Sequence, residues 1–246
     1  MGPVRDTRYQ NAPIAEAVVE IRVTRTPAVT LQDLEPLGDG LADSYPRRER
    51  VVAVQGMLSM GGTVGAAAHQ AVLGCRFVSS DGPNILQARV DSFVFSRLRP
   101  YDHWQPFRNE ARRLWLLYRS RVGNSTVTRV GVRYVNRIDL PTPLKLETYF
   151  RTYPQISPVM PEALSGFFMQ LTIPQTDPAC ELSLHQAAVP SERDGHVGLI
   201  LDIDVFVARD VPASEDGLWD MLEKLRHKEN DVFEACITDR LRELID

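Results

Sequence analysis

Charged side chains return at alternate positions from Arg129 to Asp139, and that periodicity restricts the fold more than any other feature of the chain. Arg129, Gly131, Arg133, Val135, Arg137 and Asp139 fall on one face of an extended segment, and Val130, Val132, Tyr134, Asn136 and Ile138 on the other. A period of two is a strand's, not a helix's. One face carries charge and the other is apolar, so the strand belongs to a sheet that packs under helices on one side only. Ile14 to Val23 alternates in the same way, with Ala15, Ala17, Val19, Ile21 and Val23 opposed to Glu16, Val18, Glu20 and Arg22.

Strands and helices recur in the same order on either side of Gly123-Asn124-Ser125. In the first half a helix is expected within Leu31 to Asp43, followed by strands Val51 to Leu58, Ala71 to Val78 and Leu86 to Leu98. Gly61-Gly62-Thr63-Val64-Gly65 and Ser80-Asp81-Gly82-Pro83-Asn84 supply turn chemistry between them. A helix then carries Trp104, Phe107, Ala111, Leu114, Trp115 and Tyr118 at spacings of three and four, and Asp102 with Gln105 forms a capping box at its start. In the second half the order is a strand from Val127 to Leu140, a short helix from Leu144 to Tyr153 and strands Gly166 to Ile173, Cys180 to Val189 and Gly198 to Ala208. A long final helix, N-capped by Ser214, buries a stripe from Leu218 to Leu244.

Each half thus reads β-α-β-β-β-α. Asp91-Ser92-Phe93-Val94-Phe95 before Trp104 parallels Asp202-Ile203-Asp204-Val205-Phe206 before Trp219. The expectation is an α+β fold made by internal duplication: a flexible N-terminus at 1–9, a first repeat at 10–124 and a second at 125–246, together forming one compact unit. An antiparallel sheet or saddle with helices on one face, like the helix-grip folds, accommodates that order.

Composition removes whole classes. With 43% hydrophobic and 24% charged residues the chain is neither disordered nor fibrous. Its richest apolar stretch, Leu199 to Val207, is interrupted by Asp202 and Asp204, and Met1 to Gln10 has no apolar core of a signal peptide; a cytoplasmic location without a membrane partner is expected. Cys75, Cys180 and Cys236 are far apart and unpaired in pattern, as free thiols are. Lys and Arg outnumber Asp and Glu by 16 to 12 in residues 1–124, and the acids lead by 20 to 12 in 125–246. The halves therefore carry +4 and −8, and nucleic-acid binding is expected to be weak or absent.

Strand parity then nominates a site. Arg133, Arg137, Asp202 and Asp204 share the face away from the helices, with Arg97 and Glu20 on neighbouring strands and Phe95 and Phe206 as aromatic surfaces. One reading pairs these charges with one another across strands. The other has Arg133 and Arg137 clamp an anionic group while Phe93, Phe95 or Phe206 stacks on a flat one. Asp202 and Asp204, separated by roughly 6.5 to 7 Å along one side of a strand, also suit a divalent metal, and no other cofactor is expected. Among His69, His103, His185, His196 and His227 there is no H-x-H or H-E-x-x-H spacing, and no G-x-S-x-G elbow occurs, so no catalytic residue is nominated.

Five stretches in combination resemble a sporadically distributed family of uncharacterised bacterial and archaeal proteins of about this length. They are Asn11-Ala12-Pro13-Ile14-x-Glu16-Ala17; Phe77-x-Ser79-x-Asp81; Ser96-Arg97-Leu98-x-Pro100-Tyr101-x-x-Trp104; Arg133-Tyr134-x-Asn136-Arg137; and Leu201-Asp202-Ile203-Asp204-Val205-Phe206. The patchy distribution implies a phage-defence or toxin–antitoxin-like setting; the resemblance carries no cofactor or catalytic residue. The functional expectation is a non-catalytic binding or regulatory module that holds a small anionic ligand or a partner protein. The alternatives are a metal-dependent enzyme acting on a phosphorylated or nucleotide substrate, and a structural or assembly protein; a homo-oligomer is compatible with each reading.

Overall fold

The computed structural model describes residues 9–56, 68–157, 159 and 166–246. The glycine-rich turn expected at Gly61 to Gly65, the end of the strand expected to reach Leu58 and the N-terminal segment before Tyr9 lie outside the described residues. In chain order the elements are β1 (Ile14–Thr24), α1 (Leu31–Leu34), α2 (Leu37–Leu41), β2 (Arg47–Gly56), β3 (Ala68–Val78), β4 (Asn84–Arg89), β5 (Ser92–Leu98), α3 (Trp104–Val122), β6 (Thr126–Pro141), α4 (Leu146–Tyr149), β7 (Phe168–Thr176), β8 (Ala179–Val189), β9 (His196–Val207), α5 (Glu215–Cys236) and α6 (Asp239–Ile245). The protein is α+β, and the pairings β2 with β3, β3 with β4, β4 with β5, β6 with β9, β9 with β8 and β8 with β7 are all antiparallel.

The chain divides into two compact units, one of Met1–Val19, Leu98–Tyr101 and Arg129–Asp246, the other of Glu20–Arg97 and Asp102–Thr128. They are not coextensive with the sequence halves 10–124 and 125–246, because the division falls inside β1 and inside β6.

In the unit of Glu20–Arg97 and Asp102–Thr128 the strand order is β2-β3-β4-β5, followed by the second part of β1. The single strand expected from Leu86 to Leu98 is a hairpin, with Ala88 opposite Phe93 and Leu86 opposite Phe95. That turn resets the parity. Phe93 and Phe95 are fully buried against α3, Phe95 stacked on Phe107 at 5.0 Å and Phe93 edge-on to Trp115 at 5.6 Å. Phe95 is a core residue of the helix-covered side and not the exposed stacking surface that a continuous strand predicted; the residue-by-residue parallel with Phe206 is off by one face. The helix expected within Leu31 to Asp43 is broken in two around Pro36, which has no N–H to continue the ladder. Helix α3 begins at Trp104 behind His103, whose side chain makes no cap bond. Asp102 turns to Arg97 at 3.8 Å and Gln105 donates to Asn109, so the expected capping box does not form.

In the unit that contains Arg129–Asp246 the first part of β1 is followed in order by β6, β9, β8 and β7. Helix α5 packs on β9. Between them lie Val130, Val132 and Leu140 of β6, Leu199, Leu201, Ile203 and Val205 of β9, and Leu218, Trp219, Leu222 and Leu225 of α5, all 1% exposed or less. At about 25 cal/mol per Å² of apolar surface, this interface is the main stabilising term of the unit. Ser214 caps α5 as expected, its hydroxyl accepting from the Gly217 N–H at 3.2 Å. The final helix is not continuous: Ile237 is extended and bridges Phe150, and α6 restarts behind Thr238, whose hydroxyl accepts from the Leu241 N–H. The same bridge draws Phe150 into extended backbone and limits α4 to a single turn. Tyr9 is anchored through a 2.6 Å hydrogen bond to Glu234.

Candidate functional site

The face of β6, β9 and β8 opposite α5 is set by register. Arg133 stands across from Asp204 and Val135 across from Asp202 on β6 and β9; Asp204 stands across from Ser183 and Asp202 across from His185 on β9 and β8. The buried partners of these strands alternate with them as the sequence predicted, with Val130, Val132, Tyr134, Asn136 and Ile138 all inward.

The charges on this face pair diagonally. Arg133 makes a two-point contact with Asp202, Nε to Oδ1 at 2.7 Å and Nη2 to Oδ2 at 2.6 Å. These charge-assisted bonds hold the guanidinium pKa above its ordinary value. Arg129 reaches Asp204 at 2.6 Å while its guanidinium lies over the Phe206 ring, 4.0 Å from the centroid. Gly131 makes this possible. A Cβ there would stand 2.9 Å from an Arg129 terminal nitrogen and 3.0 Å from the Phe206 Cβ, so any larger residue occupies the path that Arg129 takes across the strand.

A second partner of Asp202 was not legible as a site residue. His185 Nδ1 lies 3.3 Å from Asp202 Oδ2, its Nε2 lies 3.4 Å from the Ser183 hydroxyl, and the exposed Phe168 stacks on the imidazole at 5.9 Å. Hydroxyl, imidazole and carboxylate thus follow one another in the order of a nucleophile, its base and the group that orients the base. Strand β8 is paired on both sides through Ser183 and His185, so its backbone N–H groups are committed to the sheet and supply no oxyanion donors. The parity of Cys180 to Val189 places Ser183 and His185 together, but which strand lies beside β9 is a property of the topology.

Of the other nominated residues, Arg137 is on this face and Glu20, Arg97 and Phe95 belong to the other compact unit. Arg137 donates to the Pro190 carbonyl at 2.9 Å and pairs with no carboxylate among the described residues. Glu20 contacts Arg22 at 3.1 Å, and Arg97 is held by the Asn84 side chain at 3.1 Å and by Asp102. Asp202 and Asp204 each have an arginine as first partner, and among the described residues no group of three His, Cys, Asp or Glu is arranged to hold a metal ion.

Beneath the charged face the interior carries polar side chains. Asn136 donates to the Leu201 carbonyl at 3.1 Å, Gln186 is fully buried with both amide atoms unpartnered, and Glu229 of α5 is 1% exposed with one oxygen unpartnered. Burial drives the Glu229 carboxyl far above its ordinary range, and Asp202 adds to the shift. Tyr134 contacts the Tyr101 hydroxyl at 3.0 Å and is likewise raised by burial. No helix among the described residues is long and apolar enough to cross a membrane. No protein-family model matches the chain, and no curated protein matches it.

Proposed function

We propose that the chain is a non-catalytic binding module that receives an anionic group, on a small ligand or a partner protein, at Arg137 and the exposed flank of Arg133. The observation that carries this reading is the difference between the three arginines of β6. Arg129 and Arg133 are neutralised by Asp204 and Asp202, whereas the half-exposed Arg137 side chain has, among the described residues, only the Pro190 carbonyl as partner. Arg133 keeps 46% of its side-chain surface while bound to Asp202, and four residues of strand put its Cα roughly 13 Å from that of Arg137, a span that the two long side chains can close on a ligand with two anionic groups, such as a diphosphate or a dicarboxylate. The ion pairs then hold this surface rigid and do not themselves bind the ligand.

The order β1-α1-α2-β2-β3-β4-β5-α3 against β6-α4-β7-β8-β9-α5 supports an internal duplication of a helix-grip-like unit, with one extra strand from the β4–β5 hairpin. A cytoplasmic protein of a phage-defence or toxin–antitoxin-like system is the setting that the family resemblance implies.

The test is calorimetric titration with pyrophosphate. Arg137→Ala should weaken binding at least tenfold and leave the melting temperature within about a degree, since no buried group loses a partner. Wild-type protein that takes up no pyrophosphate and no dicarboxylate in the millimolar range would remove the anion reading.

A further inference from the structure

We infer that β7 is the contact strand of a homodimer, pairing antiparallel with the β7 of a second copy across a two-fold axis. Strand β7 ends the strand order of its unit, with β8 on one side and no described strand on the other. Its sequence, Phe168-Met169-Gln170-Leu171-Thr172-Ile173-Pro174-Gln175-Thr176, contains no ionisable residue. Its burial is equally unusual: no residue is buried, Phe168 is 68% and Ile173 39% exposed, and Met169 and Leu171 are only half covered. An exposed edge presents unpaired N–H and C=O groups, and folded proteins ordinarily blunt it with charge. Strand β2, which ends the strand order of the other unit, does so with Arg47, Arg48, Glu49 and Arg50, all exposed.

The absence of charge also selects the occupant. In an isologous contact each residue meets its own symmetry mates, so a charged strand would repel itself and an uncharged one does not. Pro174 has no N–H and marks one end of the pairable stretch. A two-fold near Leu171 sets Met169 opposite Ile173 and Gln170 opposite Thr172, and leaves Pro174 at the margin. Phe168, Met169, Leu171 and Ile173 gain cross-strand neighbours in that arrangement and lose part of their exposed surface. One strand is smaller than the roughly 800 Å² per partner of a standard interface, so the dimer is expected to exchange with monomer.

Sedimentation equilibrium of the full chain from about 1 µM to about 1 mM protein tests this, spanning the affinity of small interfaces. The expected result is a monomer–dimer equilibrium whose dissociation constant rises at least tenfold in Gln170→Lys/Thr172→Lys. Both substitutions are at exposed polar positions, so the variant should melt with the wild type. Val52→Lys, on the exposed surface of β2, should leave the equilibrium unchanged. In the wild type, amide exchange of residues 168–173 should slow as concentration rises, a readout independent of any variant. A monomer across the whole range overturns the inference, as does a dimer that the paired lysines do not weaken.

Discussion

At the scale of single residues, the interior explains more than the exposed charges do. Arg129 has only 9% of its side chain exposed and Asp204 21%, so removing either strands a largely desolvated charge. Arg129→Met is expected to cost about 2–4 kcal/mol, and combining it with Asp204→Asn should recover part of that loss in a double-mutant cycle. Gly131→Ala should act through the same pair, because its methyl displaces Arg129 from Phe206; a loss of about 1–2 kcal/mol by urea unfolding is expected. Arg133→Ala is not the harmless truncation that an open face suggests, since it leaves Asp202, 8% exposed, without its main partner. Glu229 gives a pH dependence of known sign. Its folded-state pKa lies well above the ordinary 4.5, so the native state keeps a proton that the unfolded chain releases, and stability falls as pH rises from there towards the folded-state value. Glu229→Gln should therefore raise the melting temperature by several degrees at pH 8 and change it little at pH 4, each kcal/mol being about 2–4 °C for a chain of this size. Cys236 is pushed up to about 11 by burial, and Cys75 and Cys180 are buried too. None of the three should react with a water-soluble disulfide reagent at pH 8 until denaturant is added, when all three should.

At the scale of elements, capping separates the two long helices. Ser214→Ala should cost about 1 kcal/mol because α5 loses its cap bond, whereas His103→Asp should add about 0.5–1 kcal/mol by giving α3 one. Paired thermal melts measure both. The same contrast shows what the sequence discloses. Periodicity located β6, β8 and β9 and the outward faces of β6 and β9, because burial on one side imposes alternation over many residues. It could not find the turn at Val90 and Asp91, which contains neither glycine nor proline, and with it went the facing of Phe95. It also could not see that Phe150 and Ile237 bridge, a contact between residues far apart in sequence that ends α4 and interrupts the final helix. Arg133, Arg137, Asp202, Asp204 and Phe206 were found as a set by parity. Arg129 and His185 were passed over as site residues because their roles depend on diagonal pairing and on strand order, which no local pattern records.

For the whole molecule, net charge decides the response to polyanions. At −4 overall, with +4 in residues 1–124 and −8 in 125–246, duplex DNA should bind no more tightly than the roughly 10⁻⁴–10⁻⁶ M of non-specific contacts at physiological salt. Fluorescence anisotropy with random and defined duplexes checks this, and any residual binding should vanish as salt is raised. Tight binding to one sequence would contradict the charge argument.

The three tryptophans are shared unequally between the compact units. Trp104 and Trp115 lie in α3, and Trp219 lies in α5 with its indole N–H donating to Glu215 at 2.6 Å; all are buried. Substituting Trp104 and Trp115 with Phe leaves an emission spectrum that comes from one unit alone, and Trp219→Phe leaves the complementary spectrum. Red shifts of the two signals, followed in the same denaturant series, turn the molecule's own chromophores into separate clocks for the opening of each unit.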